Sequence, residues 1–149
     1  MQSLAVEYDC SFFDTEPFEP MPGGTMSLWQ IMIGHFVELP HTLPQDFTLT
    51  EVLGERTPRI WLEKADFIAR FHWMALLITH PDYLRDPAHL RMYQEFLEVM
   101  CGRGGFWHAL PRDVAEWWRR RVFGPVESAD WQLEAEMREG RLQVAGRHN

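Results

Sequence analysis

The run "MALLITHPDYL", Met74 to Leu84, sets a histidine directly behind a nearly unbroken apolar stretch and directly ahead of a proline. Imidazole titrates near neutral pH, so a histidine held at the end of a buried strand can hand a proton to a departing group. His80 is therefore the first candidate for chemistry, in the role of general acid. A local reading competes with it, in which His80 only bonds the backbone near Asp82. An imidazole used in this way needs a carboxylate to fix its tautomer, and Asp9 and Asp14, around the end of the first apolar segment, are the candidates. Loop aspartates serve equally well as turn caps.

Other chemistries find less support. His35 and His41 are separated by Pro40 and the remaining histidines are scattered, so no pair has the spacing of a helical metal site. The chain by itself is expected to hold no metal. There are four serines and neither a G-x-S-x-G elbow nor an H-E-x-x-H motif. "CGRGG", Cys101 to Gly105, follows a helical pattern rather than a strand and reads as a helix stop, and "RRR", Arg119 to Arg121, falls in the last turn of a helix, where cations meet the negative end of the dipole. Seven tryptophans are many for this length, and most fall on expected apolar faces. Trp29, Trp73 and Trp107, in or beside strand candidates, are the three expected to reach a cleft and stack on sugar rings.

The elements that must position these residues are clearest after residue 57. Thr57-Pro58 reads as an N-cap and first helical residue, and Trp61, Ala65 and Ile68 form one stripe of a helix over 58–71, with Phe67 and Phe71 beside it. Met74 to Thr79 lacks alternation and reads as a strand buried on both faces, the habit of parallel sheets. Asp86-Pro87 repeats the cap signal for a helix over 87–101 with Leu90, Tyr93, Leu97, Met100 and Cys101 inward; "GFWHAL", Gly105 to Leu110, reads as a strand, and 111–122 as a third helix. Before residue 57, Leu4 to Tyr8 and the segment Leu28 to Leu39 each hold a strand candidate, separated by a loop rich in proline and glycine. Helix and strand alternate, which predicts an α/β fold with mostly parallel strands, helices outside, and a ligand site beyond the carboxyl ends of the strands. Residues 1–125 form the expected domain and 126–149 a polar tail with a short helix at Trp131 to Gly140.

The net charge of −8 and a pI near 5.3 argue against nucleic acid as a partner. Cys10 and Cys101 are too few for a disulfide framework and read as buried thiols. With no leader pattern at the start and no apolar run of membrane length, the chain as written reads as cytoplasmic and not membrane-bound.

Four ordered segments, "VEYDCSFFDTEPFEPMPGG", "VELPHTLPQD", "IWLEKADFIARFHWMALLITHPDYL" and "FWHALPRDVAEWWRRR", resemble the second half of bacterial polysaccharide deacetylases of the chitooligosaccharide deacetylase homology group. The likeness spans Leu4 to about Val122. It implies the C-terminal half of a distorted (β/α) barrel, a partial barrel whose complete form removes acetyl groups from glycans with a divalent metal such as zinc or cobalt. "LLITH" matches the strand that ends in the family's general acid, which gives that role to His80. The supporting aspartate corresponds to Asp9 or Asp14, although neither is followed by the family's usual tryptophan; Asp130-Trp131 is such a pair but lies in the tail. The paired aspartates, the H-S/T-x-x-H metal motif and the arginine motif have no counterpart, because the sequence begins just after the point where they end. The resemblance therefore implies a deacetylase-like hydrolase that is inactive alone, either a truncated product or one completed by a separate N-terminal chain or by a homo-oligomer covering an open sheet edge. The alternatives are a non-catalytic carbohydrate-binding protein and a protein-interaction module.

Overall fold

The computed structural model describes residues 6–13 and 27–124. Asp14 and the tail carrying Asp130, Trp131 and the expected terminal helix lie outside the described residues. The chain divides into two compact units.

In the first unit, formed by 6–9, Ile31–Glu38 and 109–124, three short strands make one sheet in the order β1 (Tyr8–Asp9), β3 (Phe36–Glu38), β2 (Ile31–Ile33). β1 runs parallel to β3, with Tyr8 opposite Val37 and Asp9 opposite Glu38. β2 runs antiparallel to β3, because the two-residue turn Gly34-His35 folds the chain back on itself. Gly34 has φ 62°, a conformation glycine adopts without a Cβ clash at the first central position of a tight hairpin. The segment Leu28 to Leu39 thus holds a hairpin rather than one strand. β3 is buried along its whole length, and a helix over Pro111–Phe123 lies against β1 and β3. Pro111 occupies the first turn of that helix, where its missing N–H is no loss, and the Asp113 carboxylate accepts the Leu110 N–H at 3.3 Å. Arg119 donates to the Glu7 carbonyl, a bond that joins helix to sheet. Ala115 is the buried residue of this helix, whereas Trp117 and Val122 are exposed.

The second unit contains 10–13, 27–30 and Leu39–His108. Its helices are α1 (Arg59–Arg70) and α2 (Pro87–Gly102), the helix of the first unit being α3. A π-turn over Thr48–Val52 and a 3₁₀ turn over Tyr83–Arg85 precede them. α1 starts one residue later than its cap signal indicates, with Pro58 as N-cap, and buries Ile60, Trp61, Ala65 and Ile68 as the spacing requires. It ends where His72 takes φ 56° and the Trp73 N–H reaches back to the Ile68 carbonyl, a Schellman closure with histidine in the place glycine usually holds. α2 keeps its expected cap, the Asp86 carboxylate accepting the Ala88 N–H at 2.7 Å. Its inward face is rotated from the expected stripe: His89, Met92 and Phe96 are buried and Leu90 and Leu97 exposed. The core joins Leu43, Leu49, Ile60, Trp61, Ile68, Met92 and Phe96. Trp61 is its centre, fully buried, with rings of Phe96 and Tyr93 at 5.3 and 6.4 Å and its indole N–H donated to the Pro44 carbonyl at 2.6 Å.

The mostly parallel (β/α) half-barrel is not what forms. Three short strands in a mixed sheet, with helices predominating, replace it. Met74 to Thr79 and Gly105 to Leu110 are not strands. The first does run beside Thr42 to Asp46, with Thr42 bonded to Leu76 and Asp46 to His80, each 34 residues on, but Pro40 before that segment and Pro44 within it have no N–H to give a ladder. Side chains substitute: the Thr42 hydroxyl accepts the Leu76 N–H at 3.0 Å and donates to the Met74 carbonyl at 2.8 Å, while the Thr42 and Leu43 N–H groups share the Leu76 carbonyl. Gly105 to Leu110 opens on Gly105 at φ 83° and carries Trp107 at 61% exposure, so it has no second layer to bury it. Cys10 is half-buried and Cys101 exposed, and neither is in a disulfide. Among the described residues no helix is long and apolar enough to cross a membrane.

Candidate functional site

The side-chain substitution along the two paired segments ends in a carboxylate and an imidazole. Asp46 is fully buried. Its Oδ2 accepts the His80 backbone N–H at 2.5 Å, and its Oδ1 accepts the Phe47 N–H at 2.9 Å and the His80 ring Nδ1–H at 2.7 Å. A carboxylate has only acceptors to offer its three donors, so the proton on this ring nitrogen is assigned to Nδ1 and the free valence of the imidazole is Nε2. The His80 side chain is 44% exposed, against none of Asp46. A dry carboxylate thus orients a wet imidazole, the arrangement in which a histidine can receive a proton from solvent and deliver it at one defined atom.

Local structure holds His80 from both sides. Pro81 ends the segment, and the His80 carbonyl accepts from the Tyr83 and Leu84 N–H groups at 3.1 and 3.4 Å, starting the 3₁₀ turn. The Tyr83 ring meets the imidazole edge to face at 5.7 Å, and Phe47 packs on Tyr83 at 5.4 Å. The turn is anchored below by buried His89, whose Nδ1–H donates to the Tyr83 carbonyl at 3.2 Å while Nε2 accepts from Arg56 Nη1 at 2.9 Å.

Asp46 is the candidate site residue that sequence reasoning missed. The partner of His80 is neither of the carboxylates expected. Asp9 ends β1 in the first unit, half-buried and opposite Glu38, and Asp14 lies outside the described residues. The segment "LPHTLPQDF" gives no local sign of it, since Asp46 opens a helical turn, where an aspartate serves equally well as a cap. Only the 34-residue register shows that its carboxylate faces His80.

Of the tryptophans, Trp29 and Trp73 come together edge on at 6.2 Å, and Phe71 stacks on Trp73 at 4.7 Å with Phe67 beside both. Trp29, Phe67 and Phe71 are exposed, so this is a surface cluster, not core. Trp107 is exposed in the same unit. Trp61 is the tryptophan that builds the core.

Compared with known proteins, the chain matches no protein-family model, no curated protein and no solved structure. No family is assigned. Among the described residues no three His, Cys, Asp or Glu side chains converge to hold a metal ion.

One neighbouring histidine has a measurable consequence. His41 is buried against Phe13, its Nδ1 without a hydrogen-bond partner, and burial holds its pKa below the ordinary 6.5. With the folded value depressed, its contribution to stability is complete above pH 6.5 and is lost as pH falls through the folded value. Wild type is therefore expected to lose more unfolding free energy than His41→Leu between about pH 7 and about pH 5. Equal losses in urea titrations of the two proteins would show that His41 does not carry the effect.

Proposed function

We propose that the chain carries the proton-delivering part of a glycan deacetylase centre. The supporting observation is the Asp46–His80 pair, in which a fully buried carboxylate fixes the tautomer of a half-exposed histidine at the position where the deacetylase likeness expects a general acid. In hydrolysis of an N-acetyl group, water adds to the acetyl carbonyl, the C–N bond breaks, acetate leaves and the amine takes a proton. His80, protonated at both ring nitrogens, supplies that proton from Nε2 and keeps Nδ1–H on Asp46. Activation of the water is assigned to groups supplied by a complementing chain, because Asp46, the carboxylate at His80, is committed to the imidazole and to two backbone N–H groups.

Purified chain is expected to bind N-acetylated chitooligosaccharides saturably with a shift of the His80 ring resonances, and to release no acetate unaided. Saturating glycan that leaves the His80 ring unmoved would remove the proposal, and metal-dependent acetate release by the chain alone would show a complete centre. The exposed Trp29, Phe67, Phe71 and Trp73 cluster favours a second reading, a glycan-binding surface without chemistry. In that case the shifts fall on the indoles, and His80→Ala binds as wild type does.

A further inference from the structure

We propose that Tyr83 and Phe47 form the wall against which the leaving sugar of the acid step packs, an inference that rests on the proposed role of His80. A general acid must lie within hydrogen-bond reach of the atom it protonates. Nδ1 of His80 is occupied by Asp46, so that atom must sit at Nε2, and the body of the leaving group must lie against whatever surrounds the imidazole. The ring packed on the imidazole is aromatic, and a second aromatic ring backs that one. Tyr83 stands edge to face with the imidazole, Phe47 tilts onto Tyr83, Phe47 is 37% exposed and Tyr83 half-buried.

Both rings are placed by the same backbone that places the dyad. Phe47 follows Asp46 and gives it an N–H; Tyr83 follows His80 by three residues and gives an N–H to the His80 carbonyl. His89, itself held by Arg56, then bonds the Tyr83 carbonyl from beneath. The backbone that carries both rings is therefore fixed before any ligand arrives, which lowers the entropic cost of using them. The occupant that this chemistry fits is a pyranose. Its axial C–H groups present an apolar face to an aromatic ring while the ring substituents keep their hydrogen bonds. The Tyr83 hydroxyl, with no hydrogen bond among the described residues, is available to one of those substituents. Tyr83 and Phe47 are thus assigned to substrate contact, and His89 to positioning.

The test is an NMR titration of the full chain with N-acetylated chitotetraose, following the His80, Tyr83 and Phe47 ring signals in wild type, Tyr83→Phe, Tyr83→Ala and Phe47→Ala. Affinity is expected to fall about tenfold in Tyr83→Ala and about fivefold in Phe47→Ala, and to be largely kept in Tyr83→Phe, with the hydrogen-bonded Nδ1–H signal of His80 present in all four. Shifts at His80 with unchanged affinity in both alanine variants would overturn the wall and leave the acid role standing. Loss of the Nδ1–H signal together with affinity would also overturn it, because the ring would then be only a prop for the imidazole. Shifts at Tyr83 and Phe47 without any at His80 would retain the wall as a sugar contact and remove the acid role. No saturable binding by wild type would overturn both.

Discussion

Asp46→Ala is expected to lower folding stability by about 2–4 kcal/mol, because it strands the backbone N–H groups of Phe47 and His80 as well as releasing the imidazole. Asp46→Asn separates the two effects. The amide keeps the shape and one acceptor oxygen, so the loss of stability should be smaller, but its NH₂ now meets donors where the carboxylate met them. The NH₂ finds an acceptor only when it faces the His80 ring nitrogen, and in that favoured orientation the ring takes the other tautomer. Two readouts follow from the same samples: urea unfolding for stability, and the hydrogen-bonded Nδ1–H proton signal for the imidazole. The expected result is a small stability change with loss of that signal in Asp46→Asn. In a system where a complementing chain restores acetate release, the same variant should lose about 10²–10⁴-fold in rate, the usual share of a general acid. An unaltered Nδ1–H signal in Asp46→Asn would mean that Asp46 caps the turn and does not hold the histidine.

The second large effect belongs to Trp61. Trp61→Ala opens the middle of the core, where the ring is fully buried between Phe96 and Tyr93, and should cost about 3–5 kcal/mol. Trp61→Phe keeps much of the ring and removes the N–H from the Pro44 carbonyl, a loss of about 1–3 kcal/mol. The consequence extends beyond stability. Pro44 lies two residues before Asp46, in the segment that meets His80, so Trp61 fixes one end of the strut on which the dyad stands. Faster hydrogen exchange at the His80 amide is therefore expected in both variants. Unchanged exchange there, despite lowered global stability, would separate the core from the site. Exchange must be compared under conditions where local opening dominates, well below the unfolding transition.

A clear contrast exists between what each level of organisation decides. The helices were legible in the residues themselves, since Asp86-Pro87 and the Trp61, Ala65, Ile68 stripe carry their cap and their period locally. His80 was legible for the same reason, an apolar run ended by proline. The strands were not, because a strand is completed by a partner: Met74 to Thr79 has the composition of a buried strand, yet the segment beside it spends two of its positions on proline and answers with Thr42 and Asp46 side chains. The half-barrel expectation failed at that point. The inward face of α2 shifted from Leu90 and Leu97 to His89 and Phe96, since the face a helix buries depends on its neighbours as well as its period. Asp46 stayed hidden, since an aspartate that opens a turn serves equally well as a cap. The sequence by itself determined where helices begin and singled out His80, whereas the tertiary structure alone decided which carboxylate meets it, because contact between residues 34 apart depends on register and leaves no local signature.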